Sequence, residues 1–96
     1  METLPEALRP YRRTDVFTEN SVPAGLLRSH ATKAGVWAKI VVLDGRLLYR
    51  ILEPAVEEVL LDPARCGVVE PGRRHEVEPR GQVRFYVEFY RAPDAG

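Results

Sequence analysis

Turn signals cut this chain at nearly regular intervals, and that spacing constrains its fold more than any single motif. Apolar runs are interrupted roughly every 8–12 residues by Pro, Gly or an Asp-Gly pair, the pattern of an all-β sandwich or barrel. The predicted strands are Asp15–Phe17, Leu26–His30, Val36–Leu43, Arg46–Leu52, Glu57–Leu61, Cys66–Glu70, Arg74–Glu78 and Val83–Tyr90. The last alternates most cleanly: Val83, Phe85, Val87 and Phe89 share one face, because successive strand side chains point to opposite sides. Asp44-Gly45, set between two apolar runs, predicts a hairpin, and Pro79-Arg80-Gly81 predicts the last turn. Only Pro5–Arg9 offers a short helical turn, which Pro10 ends.

Ninety-six residues make one domain, 1–96, with its core over about 10–91. The formal net charge is zero, which argues against nucleic acid or an anionic membrane as a partner. The basic group Arg9, Arg12 and Arg13 reads as solvated charge. Cys66 is the single cysteine, so no internal disulfide forms and a cytoplasmic location is expected; the thiol itself reads as a small buried hydrophobe. The N-terminus lacks the basic and apolar regions of a signal peptide, and no apolar stretch approaches the ~18–20 residues that span a bilayer. Glycine-rich phosphate loops, GxSxG and CxxC are all absent from the sequence.

The two histidines of the chain, His30 and His75, each stand at a strand edge, one before a Val-rich strand and the other after the Pro71-Gly72 turn. Strand-borne histidines that face one pocket are a cupin-like arrangement. Metal-binding cupins usually read His-x-His and then Glu. Here His30 fits the first ligand, Thr32 stands where the second His would be, and Trp37 lies near the expected Glu. Neither replacement is a good metal ligand. Neutral imidazole still suits a divalent ion such as zinc, nickel or iron, so His30 and His75 become ligands if a carboxylate completes the shell. Glu88 and Glu78 are the candidates. Period two puts Glu78 opposite His75, whereas Glu88 shares a face with Arg84, Tyr86 and Tyr90 that either meets solvent or lines a polar pocket. The alternatives are a metal-free polar pocket and a purely structural role for both rings. Lys33, beside His30 on a glycine-flanked loop, adds an anion-binding reading.

Taken together, these segments resemble the TehB/YeaR-like family of small cupin-like domains, found at the N-terminus of a tellurite-resistance protein and as stand-alone chains. The matching stretches are Pro10-Tyr11-Arg12-Arg13-Thr14, Val22-Pro23-Ala24-Gly25-Leu26, His30 to Lys39, Leu43-Asp44-Gly45, and Glu70-Pro71 with His75 and Glu78. The resemblance implies a cupin-like double-stranded β-helix, or small antiparallel barrel, with a pocket around His30 and His75. It further implies a tellurite-resistance or stress-response setting. In the longer family members a methyltransferase domain that uses S-adenosylmethionine follows this one; that part is not expected here, so methyl transfer is not carried over.

The sequence therefore points to a stand-alone protein that binds a small molecule, an anion or a metal ion. The alternative is a small metal-dependent cupin enzyme of the oxygenase or isomerase type, against which the missing second His and Glu count. A third reading is a dimerisation or regulatory module. The expected pocket residues are His30, Thr32, Lys33, Trp37 and His75, and the expected metal ligands are His30, His75 and Glu88. Long apolar strands with free edges also predict a homodimer.

Overall fold

The computed structural model describes residues 1–93. Six strands form one antiparallel sheet: β1 (Arg9–Arg13), β2 (Phe17–Thr18), β3 (Trp37–Ile51), β4 (Glu57–Leu61), β5 (Gly67–Val69) and β6 (His75–Arg91). The order β1-β6-β3-β4 carries the frame, with β2 added to β6 and β5 to β3. The all-β antiparallel expectation holds. Because the path does not return from β4 to β1, the sheet is open rather than a closed barrel.

Two long strands organise everything else. The first half of β3 pairs with the second half of β6, from Trp37 against Tyr90 to Gly45 against Val83. The second half of β3 pairs with the first half of β6, from Leu47 against Pro79 to Ile51 against His75. Both strands bend where the two halves meet, and the register shifts there, between Val42 and Asp44 and again between Gly45 and Leu47. Asp44-Gly45 is thus an irregularity inside one continuous strand, not a hairpin, and Pro79-Arg80-Gly81 lies opposite it inside β6, not in a turn. Gly45 and Gly81 both take φ of +83°. A left-handed glycine serves a hairpin and a bulge alike. Here the bulge forms because β6 is long enough to partner both apolar runs. A Cβ on Gly45 would overlap the Gln82 carbonyl, so the close approach of the two strands requires glycine.

The extra residue at the bulge also switches the buried parity of β3. Ala38, Ile40 and Val42 are buried before it, and Leu47 and Tyr49 after it, whereas β6 keeps its odd-numbered set: His75, Val77, Val83, Phe85 and Val87. One inserted residue moves a side chain to the other face, so the bulge is what keeps both halves facing one core. That core joins the two halves: Ile40, Val42, Phe85 and Val87 from one, Leu47, Tyr49, Val59 and Leu61 from the other. Leu47, Leu61 and Phe85 are fully buried, each contributing about 1.5–3 kcal/mol relative to exposure. Tyr49 ties the halves further, its hydroxyl donating to the Val68 carbonyl of β5 at 2.9 Å.

The N-terminal third departs most from expectation. Residues 9–13 form an edge strand rather than ending a helical turn, and the next strand is only Phe17–Thr18. The segment expected as strand Leu26–His30 is a 3₁₀ turn over Ala24–Leu27, after which His30 alone makes a bridge, to His75. Cys66 is exposed rather than buried.

Candidate functional site

The bridge between His30 and His75 builds the site. Each backbone N–H donates to the other's carbonyl, His30 to His75 at 2.9 Å and His75 to His30 at 2.8 Å. A pair bonded in this way directs both side chains to the same side of the sheet. The imidazoles lie with centroids 4.0 Å apart and planes tilted by 57°. Arg74 holds the incoming loop in place, its guanidinium donating to the Ser29 hydroxyl at 2.6 Å and the Ser29 carbonyl at 2.9 Å. Thr32 fastens the other side of that loop: its hydroxyl donates to the Val36 carbonyl at 2.8 Å, and its own carbonyl accepts from Gly72 N–H at 3.2 Å.

Each ring is oriented by the carbonyl two residues before it. Nδ1 of His30 lies 2.9 Å from the Arg28 carbonyl, and Nδ1 of His75 lies 2.9 Å from the Arg73 carbonyl. A carbonyl only accepts, so both Nδ1 atoms carry the proton, and in a neutral ring Nε2 then presents a bare lone pair. Burial pushes the His75 ring down to about 4, and the nearby His30 ring adds to this, against the opposing pull of the Arg73 carbonyl. His75 is therefore neutral at physiological pH. The Tyr49 ring stands edge-on to it at 5.8 Å.

Both rings open onto a cavity of about 530 Å³. Its floor is apolar and buried: Ala38, Ile40, Val69, Val77, Phe85 and Val87. Phe17, Leu26, Val36 and Phe89 continue the wall, and the exposed Tyr11, Arg12, Pro23, Gly25, Ala31 and Lys33 surround the mouth. Among the described residues neither Asp nor Glu lines the cavity, and its charged groups there, Arg12 and Lys33, are both cationic.

Of the expected pocket residues, His30, Thr32, Lys33 and His75 line this cavity. Trp37 does not: it begins β3 with the parity opposite to Ala38, so its side chain lies on the outer face, beside Tyr90 across the strands. Glu88 does not either. Val87 and Phe89 take the cavity side, which leaves Glu88 outside, where its carboxylate accepts from the Tyr90 hydroxyl at 2.6 Å and from Arg13 at 3.1 Å. Those bonds, Tyr90's first, hold Glu88 below the usual carboxylate range. The face it shares with Tyr86 is a polar outer surface, on which Arg13 stacks over Tyr86 at 4.4 Å. Glu78 is exposed and pairs with Arg80 at 3.1 Å. Among the described residues no three His, Cys, Asp or Glu side chains converge as a metal shell.

Sequence reasoning missed Arg12, Tyr11, Phe17 and Leu26 as wall residues. The available signal was that Tyr11 and Arg12 fall in a stretch that repeats the family pattern, while charge counting alone makes Arg12 look merely solvated.

A family model for the TehB-like domain matches residues 12–87. The chain belongs to the TehB-like domain family. Its TehB-like sequence is 32% identical over 72 residues to a probable S-adenosyl-L-methionine-dependent methyltransferase TehB of Haemophilus influenzae strain KW20, covering 71% of this chain and 25% of that protein. The chain thus spans about a quarter of the length of the curated relatives it matches. The crystal structure of Haemophilus influenzae TehB superposes on this TehB-like domain with a TM-score of 0.84 at 28% identity, covering 91% of this chain and 32% of that one. An Escherichia coli K12 protein matches with a TM-score of 0.88 over 98% of this chain and all of its own, at 22% identity, a likeness of fold. Among the described residues no helix is long and apolar enough to cross a membrane.

Proposed function

We propose that this chain is a cupin-like domain that binds a small molecule in the cavity beneath His30 and His75. One observation carries the reading: an apolar cavity of about 530 Å³ has two oriented imidazoles in its wall and, among the described residues, the cationic Arg12 and Lys33 as its charged lining groups. That volume lies within the ordinary range of ligand sites, about 300–1,000 Å³. Few polar groups on apolar walls are what such sites use to orient a ligand. Membership of the TehB-like family supports a tellurite-resistance or stress-response setting for this binding. The test is methyl NMR of the protein against a fragment set of neutral, anionic and cationic compounds. Binding is expected to move the methyls of Ile40, Val69, Val77 and Val87. If no compound moves them at millimolar concentration, the reading fails.

The second reading is a divalent metal at His30 and His75. The bond from each Nδ1–H to a carbonyl is the outer-shell arrangement that orients a metal-ligating histidine. The donor set counts against it. Two imidazoles fall short of the three protein ligands that even an open catalytic zinc site takes, and among the described residues no carboxylate lines the cavity. Metal analysis of the purified protein separates the readings: bound zinc, nickel or iron that falls sharply in His75→Ala favours the metal, and negligible metal favours the organic ligand.

The homodimer belongs to the same reading. The sheet ends on β4, where Leu60 stays 43% exposed and neighbouring Val56 68%. Light scattering is expected to give the mass of two chains; a one-chain mass at high concentration would refute the pairing.

A further inference from the structure

We infer that the cavity takes a monocarboxylic acid with an apolar body, bound together with one proton held between a carboxyl oxygen and Nε2 of the His30–His75 pair. This rests on the ligand-binding reading above and names the ligand class for that same site.

The apolar body follows from the walls. Phe17, Leu26, Ile40, Val69, Phe85 and Phe89 are among the residues that make the lining mostly apolar. A small inorganic oxyanion gains nothing from such walls and gives up hydration to enter them. A chain or ring of several carbons gains with each group it buries.

The acid head follows from sign and geometry. The mouth carries Arg12 from β1 and Lys33 from the loop before β3, and Tyr49 of β3 packs edge-on to His75; among the described residues no carboxylate lines the cavity. The field at the mouth therefore draws an anion. Deeper in, the arrangement reverses. With both Nδ1 protons already given to the carbonyls of Arg28 and Arg73, a neutral Nε2 offers only a lone pair, which repels a bare carboxylate. One added proton removes the conflict. It sits either on the carboxyl, whose O–H then donates to Nε2, or on the imidazole, whose N–H then donates to the carboxylate; in both forms one hydrogen bond joins the same two atoms. Solvent or buffer supplies it, and no covalent bond to the ligand forms or breaks. A second proton is disfavoured because the two rings lie 4.0 Å apart and like charges repel. An amide or alcohol head can also bond to Nε2, but in solution neither is an anion that Arg12 and Lys33 draw to the mouth.

Titration calorimetry of the whole chain with hexanoate, heptanoate and octanoate tests this, run in two buffers of different ionisation heat. The expected result is close to one proton taken up per carboxylate bound at pH 7. Affinity is expected to rise about fourfold per added methylene and to fall by up to tenfold per unit of rising pH. Octanamide and tellurite are expected to bind at least tenfold more weakly than octanoate. Binding without proton uptake, octanamide or tellurite equalling octanoate, or binding of other fragments but of none of these acids would overturn the acid inference and leave a ligand site standing. Silence from the whole fragment set as well would remove both. The proton count needs no variant, so a chain carrying both His30→Gln and His75→Gln that failed to fold would not blunt the test; if it folds, it is expected to take up no proton.

Discussion

His30 and His75 exchange both of their backbone hydrogen bonds, at 2.9 and 2.8 Å, although 44 residues lie between them in the chain. That reciprocal bridge sets two imidazoles side by side over the cavity and makes their protonation a shared property of fold and site.

The burial of His75 makes stability depend on pH. Its ring titrates at about 4 in the folded chain against 6.5 when free. As pH falls below about 6.5, the unfolded chain binds a proton that the folded chain refuses. This contribution is therefore complete above about 6.5 and is lost progressively down to about 4, for a total on the order of 3 kcal/mol. Urea unfolding at pH 7, 5.5 and 4.5 checks it: wild type is expected to lose stability over that window, and His75→Gln to lose less by about 2 kcal/mol, the part of the total that falls above pH 4.5.

The bend in the sheet sets a contrast between two glycines of the same φ. At Gly81 an added Cβ meets nothing within 4 Å, so Gly81→Ala costs only the left-handed strain, about 1–2 kcal/mol. At Gly45 the Cβ strikes the Gln82 carbonyl as well. Gly45→Ala is expected to destabilise clearly more than Gly81→Ala, read as the shift in the urea midpoint at unchanged m.

Removing the Tyr49 hydroxyl breaks the buried tie between β3 and β5. Tyr49→Phe is expected to cost about 1–2 kcal/mol, because the Val68 carbonyl loses its donor without gaining water. Thermal unfolding measures it.

The chain alone is expected to show no affinity for S-adenosylmethionine. Its described elements are antiparallel strands and one 3₁₀ turn, with no strand-to-helix turn whose amides could hold such a cofactor. Micromolar binding by calorimetry would contradict this.

Much of the fold was legible because the chain alternates where it is half-buried: Val83, Phe85, Val87 and Phe89 face the core side as their spacing required. The bend was not legible. An Asp-Gly pair with a left-handed glycine is the same local signal in a hairpin and in a bulge, and only the length of β6 decides between them. Strand β1 was hidden because all five of its residues are exposed, so it carries no buried period to read. At the site, the two histidines were legible as strand-edge residues, whereas Glu88 and Trp37 went to the outer face because pleat parity overrides nearness in sequence. Arg74 was not legible as a clamp, since its partner Ser29 lies far away in the chain.

The most direct test is the ¹⁵N NMR signal of the histidine ring nitrogens, followed while octanoate is added at pH 7. In the free protein His75 is predicted to show a protonated Nδ1 and an unprotonated Nε2. At saturation, Nε2 of the His30–His75 pair is predicted to shift toward the protonated form while Nδ1 keeps its proton. Saturable binding that leaves every Nε2 signal in place, or a free protein whose His75 carries its proton on Nε2, would contradict the account.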